Sequence, residues 1–91
     1  MLNKLFEIIE DRKLNPTEKS YTASLFTEGE DRILQKVGEE AVEVIIAVKG
    51  QGEQRIIEEV SDLFYHTLVL LSAKGLKLKD IEDELRKRHK K

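Results

Sequence analysis

The sequence predicts an all-α fold: a core hairpin of two long antiparallel helices, with short helices flanking it. Three observations carry this. Apolar residues recur at helical spacing almost throughout, and no segment alternates as a strand would. The two longest periodic segments are joined only by a short glycine-containing turn around Lys49-Gly50. No repeat, low-complexity tract or long linker divides the 91 residues, so 1–91 reads as one domain.

Each element has its own signals. Leu2, Leu5, Phe6 and Ile9 follow i, i+3, i+4, i+7 spacing and predict a first amphipathic helix. Asn15-Pro16 ends it, because a residue before proline is pushed out of the helical region. Thr17 to Ser20 is a polar connector. Ser20 to Phe26 predicts one or two helical turns with Ser20 as cap, closed by Gly29. A long helix is expected from Glu30 to Val48 and a second from Glu53 to Lys74, closed by Gly75. The last helix is expected from Lys79 to Arg88. Lys77 and Leu78 stand where a capping Ser or Asp is expected, so cap chemistry does not mark its start.

Composition narrows the function classes. The chain has no cysteine, which removes disulfide scaffolds, thiolate zinc sites and cysteine nucleophiles. Charged residues make up 37% of it, yet the formal net charge is only -2. That balance argues against a general nucleic-acid binder. The terminal RKRHKK is locally basic and reads either as a solvated helix end or as a phosphate contact. The start lacks a secretory apolar core, and the longest apolar stretch, Leu63 to Leu71, is too short to span a bilayer. The expectation is a cytoplasmic protein with no membrane partner.

The chemistry concentrates in the two long helices. In KVGEEAVEVIIA, Val37, Ala41, Val44, Ile45 and Val48 form one apolar stripe, and Val42 and Ile46 form another. Lys36, Glu40, Glu43 and Ala47 lie in the strip between them. In the next helix Glu59, Asp62 and His66 share a similar strip, flanked by Leu63 and Leu70 on one side and by Tyr65 and Val69 on the other. From Leu63 to Leu71 that helix is apolar nearly all round, more than one small chain covers, so a homodimer is expected to complete the bundle. About a hairpin centred on Gln51, Glu43 and Glu59 each stand eight residues away, and Glu40 and Asp62 eleven. Four carboxylates then meet at one height if the two strips face each other.

Four such groups repel unless neutralised. Oxygen-only ligands point to a hard divalent cation, Mg²⁺ or Mn²⁺ in its place, sharing its sphere with substrate phosphates. The competing reading pairs the acids with Lys36, Arg55 and Lys49 on a solvated groove. His66 reads as a satisfied core or interface histidine before it reads as a ligand.

The pattern Glu39-Glu40-Ala41-Val42-Glu43 followed by Glu59-Val60-Ser61-Asp62 resembles the MazG-like all-α nucleotide pyrophosphatase superfamily. SYTASLFTEG, ILQKVGEEAVEVIIA and EVSDLFYHTLVLL narrow the resemblance to the phosphoribosyl-ATP pyrophosphatase family, over nearly the whole chain. That resemblance implies Mg²⁺-dependent hydrolysis of a small nucleotide, 1-(5-phosphoribosyl)-ATP, to the AMP compound and pyrophosphate in histidine biosynthesis. It implies a homodimer whose site is shared between subunits. Glu40, Glu43, Glu59 and Asp62 match the metal-binding acids, and Glu39 matches a residue that orients or deprotonates water. Lys36 resembles a phosphate-binding lysine, and Ser20, Tyr21 and Thr22 match an N-terminal signature close to substrate. Bifunctional members carry a cyclohydrolase as well; this chain has no room for one, so the next step falls to another protein. The rival readings are a housekeeping (d)NTP pyrophosphatase with the same acids and a non-catalytic helical dimerisation module.

Overall fold

The computed structural model describes residues 1–89 and contains five helices: α1 (Leu2–Leu14), α2 (Tyr21–Glu28), α3 (Glu30–Gly50), α4 (Glu53–Ala73) and α5 (Leu78–Arg88). No strand occurs among the described residues. The last two lysines of the basic terminus lie outside them.

Local chemistry sets the boundaries. Asn15 leaves the helix with φ -126° and ψ 68°, as a residue before proline must. The Ser20 hydroxyl accepts the Ala23 N–H at 3.0 Å and caps α2, which runs two residues beyond the expected Phe26. Glu30 and Asp31 in the first turn of α3 face its positive dipole end. α4 ends in a Schellman motif: Leu76 N–H donates to the Leu71 carbonyl at 2.9 Å and Gly75 N–H to that of Ser72 at 3.1 Å, with Gly75 at φ 74°.

The hairpin turn and the start of α5 also differ from expectation. α3 continues through Gly50, and the residue that reverses the chain is Gly52, with φ 88° and ψ 166°. Only glycine occupies that region without strain. α5 begins one residue earlier than expected, at Leu78, although Lys77 has no side-chain acceptor. The Asp80 carboxylate accepts the Lys77 N–H at 2.8 Å, so the third residue of the helix supplies half of a capping box.

The core is narrow and centred on α4. Leu68, Val69 and Leu71 pack with Phe6 and Ile9 of α1, Leu25 of α2 and Ile33 of α3. Each side chain buried as fully as Ile9 or Val69 contributes roughly 1.5–3 kcal/mol. α3 packs chiefly on α4, with Ala47 fully buried between them. A small residue there lets the helices approach along the strip that carries the acids. α5 buries nothing completely; Leu78, Ile81 and Leu85 line an open groove of about 450 Å³ with Leu2, Leu63 and Phe64.

The turn yields a contrast between two neighbouring glycines. Replacement of Gly52 by alanine is expected to cost about 1–3 kcal/mol in urea unfolding. The same replacement at helical Gly50, where an added Cβ meets nothing within 4 Å, is expected to gain about 0.5 kcal/mol. Equal effects at both positions would show that the turn does not depend on the backbone freedom of Gly52.

Candidate active site

Along α3, Lys36, Glu40, Glu43 and Ala47 succeed one another on the face turned toward α4. Along α4, Glu59, Asp62 and His66 do the same toward α3. The hairpin brings Glu40, Glu59 and Asp62 together, with one oxygen of each within 4.8 Å of the others. Glu40 is 9% exposed and Glu59 6%, while Asp62 opens to solvent. Glu43 is half-buried and stands outside this group of three. Equal height about the turn therefore does not by itself bring an acid into the group.

Three like charges this close repel on the order of 3 kcal/mol per pair at an effective dielectric near 20. Two cations offset part of this. Lys36 Nζ lies 3.5 Å from Glu40 Oε1, and Arg55 Nη2 donates to Glu59 Oε1 at 2.7 Å. Arg55 also bonds Glu58, and the hydrogen bond to Glu58 with the charge of Glu59 raises the guanidinium above its ordinary value. The ion-pair arrangement expected from composition is therefore present in part. Its strength is limited, because Arg55 is 44% exposed. No ion pair forms with Asp62 among the described residues. All donors converging on the centre are carboxylate oxygens, the chemistry that suits a hard divalent cation.

Lys36 is the more enclosed cation, with a side chain 19% exposed. Burial lowers its pKa, but the Tyr21 oxygen and the Glu40 and Glu39 carboxylates outweigh burial and leave it raised. Glu39 sits on the outer side of the same turn, 3.5 Å from Lys36 Nζ. The Gln35 carboxamide donates to it at 2.8 Å and, ahead of Lys36, holds its carboxyl below the usual range. Glu39 therefore does not join the three clustered acids.

The start of α2 adjoins the site from another side. Ser20 is occupied as the cap. Tyr21 is half exposed, stacks on Tyr65 at 6.3 Å between ring centroids and bonds His66 Nε2 through its hydroxyl at 3.1 Å. The Thr22 hydroxyl bonds that of Tyr65, and burial raises the Tyr65 hydroxyl above its ordinary value. His66 is buried and has partners on both nitrogens, as a satisfied core histidine should. Helical spacing alone puts Tyr65 only on the apolar flank of its helix. Nothing in spacing along α4 signals a partner 43 residues away on α2.

The whole chain is similar to known proteins. A family model described as phosphoribosyl-ATP pyrophosphohydrolase matches residues 2–89. The phosphoribosyl-ATP pyrophosphatase of Clostridium acetobutylicum is 57% identical over 91 residues, covering 100% of this chain and 83% of that protein. That of Methanocella arvoryzae is 46% identical over 92 residues, covering 99% of this chain and 97% of its own. The histidine biosynthesis bifunctional protein HisIE of Caldanaerobacter subterraneus is 56% identical over 91 residues, and there the chain spans only 44% of the relative's length. With the three acids on a helical hairpin and the family match running from α1 to the end of α5, the chain belongs to the phosphoribosyl-ATP pyrophosphohydrolase family.

Proposed function

We propose that this chain, as a single domain, hydrolyses 1-(5-phosphoribosyl)-ATP to 1-(5-phosphoribosyl)-AMP and pyrophosphate, the second step of histidine biosynthesis. The observation that carries the reading is the meeting of Glu40, Glu59 and Asp62 in a chain similar over its whole length to enzymes named for that reaction. These three acids would hold Mg²⁺, with Mn²⁺ as a substitute, and Glu43 would complete the acidic wall. When bound, the ion supplies charge neutralisation at the phosphoryl oxygens and acidifies water.

The remaining steps belong to the chain's own side chains. Lys36 holds distal phosphate oxygens from the rim of the acidic group. Glu39, beside it, orients or deprotonates the water that attacks between the α- and β-phosphates. Ser20, Tyr21 and Thr22 bring the start of α2 against the substrate. No helix of the described residues is long and apolar enough to cross a membrane, which fits the cytoplasmic setting of a pathway on soluble nucleotides.

A homodimer completes the site in this reading. Val42, Ile45, Ile46 and Val48 of α3 and Ile57 and Phe64 of α4 are all more than two-fifths exposed. A stable chain rarely leaves so much contiguous apolar surface in water. Sedimentation is expected at twice the chain mass, and Ile45→Asp is expected to shift it toward one.

Pyrophosphate release should require both phosphoribosyl-ATP and Mg²⁺. Equal rates on ATP or dNTPs would remove the substrate assignment and favour the housekeeping reading. Glu40→Gln and Asp62→Asn are each expected to lower turnover roughly a hundred- to a thousandfold. Their thermal midpoints should hold or rise, because each removes a mutually repelling charge. Wild-type rates in either variant at limiting Mg²⁺ would overturn the metal assignment.

Lys36 also has a pH signature. Its folded pKa lies above the ordinary 10.5, so its stabilising pairing is complete below 10.5 and is lost as pH rises through the raised value. The stability gap between wild type and Lys36→Met is expected to be open at neutral pH and to close in strong alkali. Urea titrations of both chains at the two pH values measure it, and a constant gap would mean that packing rather than charge explains the loss.

A further inference from the structure

Tyr21 opens α2 and is half exposed, yet its ring has little freedom. One face stacks on Tyr65 at 6.3 Å between centroids and 27° between planes, and the buried ring of His66 meets it edge-on at 5.9 Å. Tyr65 is held in turn by the Thr22 hydroxyl. The Tyr21 hydroxyl also has a fixed role. His66 Nδ1 lies 2.8 Å from the backbone carbonyl of Asp62, which only accepts, so Nδ1 carries the proton. In the neutral ring Nε2 then accepts, and the Tyr21 hydroxyl 3.1 Å away donates to it. A phenol that donates its proton gains electron density in its ring, and the face of an aromatic ring is already its negative side. Solvent therefore meets a rigid, electron-rich ring. Its position suits a base. Asp62 and His66 are one turn apart on α4, so the Tyr21 hydroxyl stands roughly 6 Å along that helix from the acids. A nucleotide with its phosphates at the acids spans a ribose before its base, which brings the base to the level of Tyr21.

We infer that the exposed face of Tyr21 is the base subsite and that it selects an N1-substituted, positively charged adenine over a neutral one. The inference deepens the proposed reaction and rests on it. The adenine of phosphoribosyl-ATP carries a sugar on N1, and substitution there makes its amidine basic enough to hold a proton at neutral pH. That ring is a cation, whereas the adenine of ATP is neutral. A cation over an aromatic face is attracted by the ring's quadrupole. The acids of the hairpin meet the same triphosphate in both compounds, so the base is where the two differ most in charge. Tyr21 is thus the specificity residue, and Tyr65, Thr22 and His66 hold its ring in place.

The probes are AMP, 1-methyl-AMP and 1-methyl-IMP, none of which has the anhydride that is cleaved. The base of 1-methyl-AMP is a cation, and 1-methyl-IMP carries the same methyl group on a neutral ring. Calorimetric Kd values are measured in saturating Mg²⁺ at neutral pH for wild type, Tyr21→Phe and Tyr21→Leu. Wild type is expected to bind 1-methyl-AMP roughly tenfold tighter than AMP, with 1-methyl-IMP within about threefold of AMP. Tyr21→Phe retains an aromatic face and should retain at least about a threefold preference for the cation, whereas Tyr21→Leu should show none. In Tyr21→Leu the KM for phosphoribosyl-ATP should rise roughly tenfold. A preference that survives in Tyr21→Leu would overturn the inference, because the acids rather than the ring would then attract the cation. A gain as large with 1-methyl-IMP would overturn it too, since shape and not charge would be read. Loss of the preference in Tyr21→Phe would assign it to the hydroxyl and equally sink the role of the ring. If Tyr21→Leu does not fold, Tyr21→Met is read by the same criteria. Should wild type prefer 1-methyl-AMP yet leave phosphoribosyl-ATP intact, the substrate assignment fails and the subsite stands. Should it hydrolyse phosphoribosyl-ATP with no preference among the probes, the reaction stands and the subsite fails.

Discussion

Glu40 of α3 and Glu59 of α4 are withdrawn from water on the inner face of one helix pair, with an oxygen of Asp62 inside the same 4.8 Å. A carboxylate in that position is costly unless it is paired. The hairpin accommodates this by placing a cation one turn before each buried acid, Lys36 before Glu40 and Arg55 before Glu59. Both pairs have i, i+4 spacing, so each helix brings its own partial compensation before the two meet. What neither helix supplies alone is compensation for the other's acid. That residual repulsion is what a cation at the seam would offset.

The seam also explains how the rest of the chain is arranged. A strip of charge between α3 and α4 cannot serve as their core, so the apolar packing is displaced toward the far half of α4. There Leu68, Val69 and Leu71 gather α1 and α2 and the start of α3. α2 lies across both regions. Its Leu25 is in the core, while Tyr21, one turn earlier, bonds His66 on the acidic side. The short helix thereby ties the part of the molecule that holds it together to the part that carries charge. The turn at Gly52 must be tight for the acids to remain in register, which accounts for a backbone conformation only glycine tolerates.

Much of this was legible in the sequence because it depends on local rules. Proline after Asn15, serine before α2 and glycine after α4 mark ends through backbone sterics and capping, and these act within a few residues. The inward strip of α3 was legible as well, since Glu40 and Ala47 are buried while Val42 and Ile46 beside them are exposed. That result runs against hydropathy and was visible only through the apolar residues flanking both sides of the strip. What spacing missed depends on rotation and long-range contact. Counting from the turn sets height but not side-chain placement, and Glu43 stands outside the three acids that meet. Glu39, one residue's rotation from Glu40, faces Gln35 and Lys36. The partnership of His66 with Tyr21 spans 45 residues and follows from how α2 crosses α4, which no periodicity encodes.

Lys36 and Arg55 perform similar neutralisation in unlike surroundings, and the difference bears on how a site of this kind can work. Arg55 is 44% exposed and divides its guanidinium between Glu58 and Glu59, so it can swing toward solvent when another cation takes Glu59. An exposed ion pair contributes well under 1 kcal/mol in the median case, so little opposes its release. Lys36 is 19% exposed and lies between Glu39 and Glu40, 3.5 Å from each. Its side chain has less freedom to swing toward solvent. Arg55 is therefore the more exchangeable of the two cations. A phosphate chain arriving with its metal would meet a site in which the Glu59 side yields and the Lys36 side does not.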